Sequence, residues 1–166
     1  MHPVDAWRLS PRTGLSVSAG RNHHGMSDVI ALPRGAGAGA NGAGGVGRED
    51  FLVQVWQRAV TLVQVGPQWR ILRRTERPML LITGMNPRAR ACCRGYNVLA
   101  DRRLAVALKA ARLPRLRARS VAPDGTWCED GWLVPSQITR DRKLLRRFGQ
   151  LAGWRFGPSG RVLCWP

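Results

Sequence analysis

Residues 79–87 read MLLITGMNP, a short continuous apolar run that is followed at once by turn residues. An apolar run of this length, bounded by turn residues, is typical of a strand buried on both faces. Asn tolerates the backbone angles of a tight turn and Pro cannot extend a strand ladder, so Asn86 and Pro87 end the run. We therefore predict a strand over Met79–Thr83 that lies centrally in a sheet.

Two patterns before this strand predict a helix and a hairpin. Apolar residues recur at helical spacing after the acidic residues Glu49 and Asp50, which favours a helix there over a strand. Val60–Val65 and Trp69–Leu72 then flank a Gly-Pro turn, which is the pattern of a hairpin.

Helix and strand patterns also alternate after the central strand. In chain order we predict a helix from Asn97 to Arg112, strands over 115–119 and Gly131–Gln137, a helix from Thr139 to Ala152, and a hairpin of 154–156 with 161–165. Asn97 and Thr139 are candidate N-caps, because their side chains accept hydrogen bonds from free backbone N–H groups. Pro135 confines its strand to a sheet edge or to a strand end. The order of elements predicts an α+β fold, a small mixed sheet with two or three helices packed against it.

The first 48 residues are predicted to be a disordered leader and linker. Gly35–Gly47 reads GAGAGANGAGGVG, so burial of side chains cannot offset the entropy that the backbone would lose on ordering. Met1–Gly25 lacks the continuous apolar core of a signal peptide, and no run in the chain has the length of a membrane span. The four cysteines form no CxxC pattern, which favours reduced thiols. We predict a cytoplasmic protein with a single domain over residues 49–166.

The positive charge lies almost entirely in that domain. The formal net charge is +17, and 22 of the 27 Lys and Arg residues lie in 51–166, with only six of the ten acidic residues. A strongly basic, arginine-rich surface attracts polyanions, and guanidinium groups suit phosphate well. Arg115, Arg117 and Arg119 would share one face of a strand at intervals of about 6.6 Å, similar to successive phosphates. The alternative is that this strand face is an ordinary solvent-exposed surface that binds nothing.

A second basic group is predicted on the last helix. Its polar side carries Arg142, Lys143, Arg146 and Arg147, and on a helical wheel Gln150 falls on the same side. We therefore predict nucleic-acid contacts from these four residues together with the three strand arginines.

The distribution of histidine restricts the enzyme classes. His2, His23 and His24 all lie in the predicted leader, which excludes histidine general bases and histidine metal sites in the domain. No Gly-rich phosphate loop or nucleophile elbow is present, and we predict no cofactor and no resident metal. The sequence brings three carboxylates close together, which would serve acid/base chemistry or one divalent ion: Asp124, Glu129 and Asp130.

Four polar signatures stand out, TGMNP at 83–87, Tyr96 with Asn97, PDGTWCED at 123–130 and FGQ at 148–150. Their order and spacing over Val60–Trp165 resemble a bacterial family catalogued as domain of unknown function 3293. The positions that carry the resemblance are Thr83, Asn86, Pro87, Asn97, Leu104, Leu108, Pro123, Asp124, Gly125, Trp127, Glu129, Phe148, Gly149, Gln150 and Ala152. The resemblance implies a domain boundary and a set of residues rather than an activity.

Six of these positions are predicted to bind a ligand: Thr83, Asn86, Asn97, Trp127, Glu129 and Gln150. In an extended segment Trp127 and Glu129 point to the same face, so that an aromatic ring and a carboxylate would meet one ligand. Structural roles are the alternative, a turn at Asn86, a cap at Asn97 and core packing at Trp127.

These observations favour a binding module for nucleic acid or for a phosphate-bearing ligand. One alternative is a carboxylate-dependent enzyme, with or without Mg²⁺, that acts on a nucleotide-like substrate. The other is an interaction module for an acidic protein partner, in which the polar signatures are structural.

Overall fold

The computed structural model describes residues 48–166, and their side chains from Leu52 onward. The predicted leader therefore lies outside the described residues, except for its last residue, Arg48, which begins the first helix. The described residues form three α-helices, α1 (Arg48–Arg58), α2 (Arg94–Ala110) and α3 (Ile138–Arg147). They also form seven strands: β1 (Val60–Val65), β2 (Gln68–Ile71), β3 (Met79–Ile82), β4 (Leu116–Val121), β5 (Cys128–Pro135), β6 (Gly153–Gly157) and β7 (Gly160–Cys164). This arrangement confirms the predicted α+β class.

Within these residues the seven strands form one sheet in the order β2-β1-β4-β5-β3-β6-β7. Every pairing between described strands is antiparallel, so the predicted mixed sheet is wrong. The pairs β1–β2, β4–β5 and β6–β7 are joined by short connections, which allow antiparallel pairing only. Strand β3 then runs opposite to both of its neighbours, β5 and β6.

Strand β3 lies inside the sheet and all four of its residues are buried, which confirms the predicted central strand. Leu80 and Ile82 face α2 and α3 and pack with Leu104 and Leu145; we call this side the outer face. Met79 and Leu81 lie on the inner face. They pack there in a cluster contributed by several strands: Val63, Ala118, Leu133, Trp154 and Phe156.

The sheet curls around its inner face. Arg161 of the edge strand β7 donates hydrogen bonds to the carbonyl oxygens of Ala59 and Gln57, at the end of α1. The chain immediately after α1 enters β1, on the far side of the sheet. Helix α1 therefore lies across one end of the inner face, where Trp56 packs against the inner cluster.

Two helix boundaries differ from their predictions. Cys93 is the N-cap of α2, and Asn97 lies inside the helix and is buried, so the predicted cap at Asn97 is wrong. Helix α3 begins after Gln137 and ends at Arg147 rather than at residue 152, so the cap predicted at Thr139 is wrong too. It ends early because Gly149 has a φ of 64°, the left-handed conformation that commonly follows a helix C-terminus.

The predicted hairpins β1–β2 and β6–β7 are both present, and Pro135 is the last residue of its strand, as predicted. All four cysteines are free thiols. In the part of the chain that the structure describes, no helix has the length and apolar character needed to cross a membrane.

Candidate functional site

A pocket lies on the inner face, between α1 and the end of the sheet where β3 finishes and β5 begins. Its walls include five of the six predicted ligand-binding residues: Thr83, Asn86, Trp127, Glu129 and Gln150. The free volume is about 70 Å³, which is enough for a few water molecules or for the polar edge of a larger molecule. The sixth residue, Asn97, is buried behind Asn86 and is absent from the lining.

Glu129 is the ionisable group of this pocket. It lies on the inner face of β5, opposite Ser120 of β4. Its Oε1 accepts a hydrogen bond of 2.8 Å from the side-chain amide of Asn86, whereas Oε2 has no hydrogen bond to any described residue. Burial raises the pKa of the Glu129 carboxyl, and the hydrogen bond from Asn86 opposes this only in part. The pocket thus holds a desolvated carboxyl with one oxygen free.

The amide of Asn86 is oriented by its surroundings. Its Oδ1 accepts hydrogen bonds from the backbone N–H of Cys92 at 3.1 Å and from Asn97 Nδ2 at 3.0 Å. The side-chain nitrogen must therefore face Glu129. One of its N–H groups is used there, which leaves the second N–H as a donor without a partner among the described residues.

The turn that carries Asn86 is strained. Asn86, Arg88 and Ala89 all have positive φ angles, 46°, 55° and 50°. Asn tolerates this conformation, but for Arg88 and Ala89 it costs about 1 kcal/mol or more each. Hydrogen bonds hold the turn, because the N–H of Arg88 donates to the carbonyl oxygen of Gly149 at 2.7 Å. Strain that the surrounding structure maintains is common at functional sites.

Thr83 stabilises the same turn. Its hydroxyl donates to the carbonyl oxygen of Asp130 at 2.8 Å and accepts from the N–H of Met85 at 2.9 Å. The proton of this hydroxyl is therefore already used. Thr83 lines the pocket mainly as a positioning residue.

Gln150 occupies a different place from the one predicted. It lies beyond the end of α3, it is buried, and its Nε2 donates to the carbonyl oxygens of Met85 at 3.0 Å and Phe148 at 3.3 Å. The prediction that it lies on the basic side of the last helix is wrong, because the helix ends before it. Both carbonyls require the amide nitrogen, so Oε1 remains as an acceptor with no hydrogen bond to the described residues.

Trp127 is both a core residue and a wall of the pocket. It is 8% exposed and packs with Ala59 and Ala122. Two further indole rings, Trp56 and Trp154, also line the pocket. Their sequence patterns predicted only a helix at Trp56 and a hairpin strand at Trp154. Alternation along β6 could have placed Trp154 on the inner face, but the position of α1 depends on the curl of the sheet.

The strand arginines lie on the other side of the sheet. Arg117 Nη1 is 2.7 Å from Asp101 Oδ2, and Arg119 Nε is 2.6 Å from Asp130 Oδ1. Arg115 and Arg117 lie over the ring of Trp132, at 5.4 and 4.7 Å from its centroid. Arg117 and Arg119 thus already pair with carboxylates, and the pocket, on the opposite face, contains no Arg or Lys among its described lining residues.

Other basic side chains are exposed and form no ion pair with the described residues. The predicted residues of α3 belong to this group, and so do two residues that the sequence analysis did not select: Arg88, Arg90, Arg142, Lys143, Arg146 and Arg147. Arg88 and Arg90 flank Ala89, which lines the pocket. The hydrogen bond from Arg88 to Gly149 brings the turn next to the C-terminal end of α3. We call Arg88, Arg90, Arg146 and Arg147 the basic rim.

The predicted carboxylate cluster is not present. Asp124 lies in an exposed turn, where hydrogen bonds from Thr126 lower its pKa, and Asp130 is on the outer face with Arg119. Only Glu129 is in the pocket. Among the described residues no group of three or more His, Cys, Asp or Glu side chains is placed to hold a metal ion.

Comparison with known protein families gives one match. Residues 82–152 match the family model described as Protein of unknown function (DUF3293). The predicted resemblance is thereby confirmed over this segment. No curated protein and no solved structure matches the chain.

The DUF3293 segment extends from the last residue of β3 to the residue before β6. It contains every polar side chain discussed for the pocket, together with Asn97. The walls contributed by Trp56 and Trp154 lie outside it. The matched segment therefore supplies the polar groups, and the flanking elements complete the aromatic walls.

Proposed function

We propose that this protein is a binding module for nucleic acid or for a nucleotide-like, phosphate-bearing ligand, with one base held in the pocket. The observation that carries the proposal is the carboxyl of Glu129, which has one free oxygen inside an indole-lined pocket. Aromatic walls favour the stacking of flat rings, and a carboxylate accepts hydrogen bonds from N–H groups on their edges.

The unpaired polar groups of the pocket are complementary to the edge of a base. Glu129 Oε2 and Gln150 Oε1 are acceptors, and the second N–H of the Asn86 amide is a donor. A phosphate would be repelled by the carboxylate and would find no cation among the described lining residues. The free volume of about 70 Å³ also suits an inserted edge better than a whole nucleotide.

Phosphate groups fit outside the pocket. A nucleotide whose base enters beside Asn86 would leave its phosphate near the basic rim, which consists of exposed guanidinium groups without ion-pair partners among the described residues. Such groups bind phosphate through paired N–H donors. The remaining exposed positive charge on α3, Arg142 and Lys143, would add an attraction that does not depend on sequence.

Titration of the full chain with short single-stranded oligonucleotides and with nucleoside monophosphates tests this proposal. Stacking on the pocket walls should quench tryptophan fluorescence, and oligonucleotide affinity should fall steeply as salt increases. Arg88→Ser with Arg90→Ser should reduce the slope of log K against log salt by about 1.4, since each phosphate contact on a single strand contributes about 0.7.

A matched control removes the same charge elsewhere. Arg73 and Arg74 are exposed residues between β2 and β3, outside the pocket lining. Their replacement by Ser should change the slope much less. Absence of binding to every oligonucleotide and nucleotide at low salt, or equal slopes for the two double variants, would contradict the proposal.

A second candidate function is a carboxylate-dependent enzyme that acts on a nucleotide-like substrate. Burial raises the pKa of Glu129, and a raised pKa is a common property of carboxyl groups that donate a proton to a substrate. Conversion of a bound nucleotide by the parent protein, abolished in Glu129→Gln, would support this candidate. Binding of the nucleotide without its conversion would contradict the enzyme and support the binding module.

A further inference from the structure

We infer that the pocket selects guanine among the nucleobases, an inference that rests on the nucleotide-binding function proposed above. The argument depends on the order of donors and acceptors along the pocket. Three groups follow one another there, the free N–H of Asn86, Oε1 of Glu129 and Oε2 of Glu129.

The order is fixed by the hydrogen bonds of the ligand-free pocket. Asn86 Nδ2 is held 2.8 Å from Glu129 Oε1. Oε1 is therefore the carboxylate oxygen beside the amide, and Oε2 is the one farther away. An ionised carboxylate only accepts hydrogen bonds, and Oε1 can accept a second one besides that from Asn86. A ligand edge that meets Asn86 Nδ2 and both oxygens of Glu129 would therefore face a donor, an acceptor and an acceptor, in that order.

Guanine presents the complementary sequence along its Watson–Crick edge. Its O6 is an acceptor, and N1–H and the N2 amino group are two adjacent donors. O6 would accept from Asn86, N1–H would donate to Glu129 Oε1, and N2 would donate to Oε2. Two parallel N–H···O bonds to one carboxylate resemble the bidentate arginine–carboxylate pair, which is strong because it is charge-assisted.

Gln150 adds a fourth contact to this arrangement. The N2 amino group has two N–H donors, and one of them would remain unpaired after the bond to Glu129. Gln150 Oε1 is a further free acceptor of the lining, because its Nε2 donates to the carbonyl oxygens of Met85 and Phe148. Since Gln150 and Glu129 line the same pocket, the second N–H of N2 would donate to Gln150 Oε1.

The other bases place a mismatched group at the carboxylate. Adenine and cytosine each have an amino group next to an unprotonated ring nitrogen, whose lone pair would face an oxygen of Glu129. Uracil and thymine have a single N–H between two carbonyl oxygens. A buried acceptor that faces another acceptor leaves both groups unpaired, which is the kind of mismatch that enzymes use to reject analogues strongly.

The experiment compares GMP, IMP, AMP, CMP and UMP at neutral pH by isothermal titration calorimetry with the full chain. GMP should bind at least about ten-fold more tightly than AMP, CMP or UMP. IMP keeps O6 and N1–H but lacks the N2 amino group, so it should bind about ten-fold more weakly than GMP. These comparisons use the parent protein alone and do not depend on the folding of a variant.

A pair of variants assigns the preference to one carboxyl. Glu129→Gln retains the shape of the side chain but has only one acceptor oxygen, and it should remove the preference for GMP. Asp124→Asn makes the same change of charge in an exposed turn away from the pocket, and should retain it.

Three results would overturn the inference, and they differ in what they say of the proposed function. Equal affinities for GMP, AMP, CMP and UMP would contradict guanine selection while the nucleotide-binding function stands. Failure of all five nucleotides to bind would contradict both. Agmatine, whose guanidinium also presents two adjacent donors, serves as the competitor; tighter binding of agmatine than of GMP would show that the pocket takes a guanidinium and not a base.

Discussion

Asn86 and Asn97 are joined by two hydrogen bonds of 3.0 Å, one from the backbone N–H of Asn86 to Asn97 Oδ1 and one from Asn97 Nδ2 to Asn86 Oδ1. Asn97 Nδ2 also donates to the carbonyl oxygen of Cys92 at 3.3 Å. A residue of α2 that does not line the pocket thus determines which end of the Asn86 amide points at Glu129.

Asn97→Asp should disturb this pair with little change of side-chain shape. A carboxylate oxygen would replace Nδ2, facing the Oδ1 of Asn86 and the carbonyl of Cys92, acceptor against acceptor. We expect a loss of about 1–3 kcal/mol in the free energy of unfolding, measured by urea denaturation, and weaker nucleotide binding. Gln68→Glu adds the same charge at an exposed site and should stay within about 0.5 kcal/mol of the parent. Equal stability of the two variants would contradict the structural role of Asn97.

Gly84 allows the turn to approach α2. A Cβ atom at this position would lie 2.6 Å from the carbonyl oxygen of Ala100, which is backbone and cannot move away easily. Gly84→Ala should therefore destabilise the protein by about 1–3 kcal/mol, as overpacking does, and weaken ligand binding because Asn86 shifts.

Gly95 provides the control. It lies in the first turn of α2, and a Cβ atom there would meet nothing within 4 Å. Gly95→Ala should stabilise the protein by up to about 1 kcal/mol through its helix propensity. Thermal unfolding of both variants measures the difference, and the same sign of change for the two would count against the close approach at Gly84.

The pH dependence of stability should show that the carboxyl of Glu129 is buried in the folded protein. Its folded-state pKa is raised by burial, so the folded protein binds more protons than the unfolded chain between the ordinary glutamate value and the raised one. The stability of the parent should therefore fall, relative to Glu129→Gln, as the pH rises through that interval, and then remain lower. Chemical denaturation across this pH range measures the difference.

Asp124 should change the pH dependence of stability in the opposite direction from Glu129. Hydrogen bonds from Thr126 lower its pKa, so its contribution is present above the unfolded-state value and is lost as the pH falls through the folded-state value. Relative to Asp124→Asn, the parent should therefore gain stability as the pH rises. A parallel pH dependence of the two comparisons would show that Glu129 is not buried in the folded protein.

The elements that sequence analysis predicted well depend on local patterns. The apolar run before Thr83 predicted β3, and the spacing of Trp127 and Glu129 predicted a shared face; both residues line the pocket. The placement of Gln150 failed at a single residue, because the left-handed φ of Gly149 ends the helical pattern that the wheel assumed to continue.

The partners of the strand arginines depend on tertiary pairing. Arg119 meets Asp130 only because β4 and β5 pair in this register, and Asp101 reaches Arg117 from α2. A periodicity of two places the arginines on one face but says nothing of what covers that face. The aromatic walls formed by Trp56 and Trp154 depend in the same way on the curl of the sheet.

The strand arginines should therefore act on stability rather than on the salt dependence of binding. Replacement of Arg115, Arg117 and Arg119 by Ser would leave Asp101 and Asp130 without their cations. Trp132, whose Nε1 donates to Asp101 at 3.1 Å, would also lose a stacked guanidinium.

These side chains are partly exposed, with 28% for Arg117 and 38% for Arg119, so each ion pair contributes about 0.5–1 kcal/mol at most. We expect a loss of about 1–3 kcal/mol for the triple variant in urea denaturation, with a slope of log K against log salt close to that of the parent. A guanidinium already paired with a carboxylate displaces few counterions from a phosphate. The slope of log K against log salt should therefore depend mainly on the unpaired rim residues Arg88 and Arg90. If the strand variant flattened the slope as much as the rim variant, the polyanion would bind on the outer face of the sheet, away from the pocket.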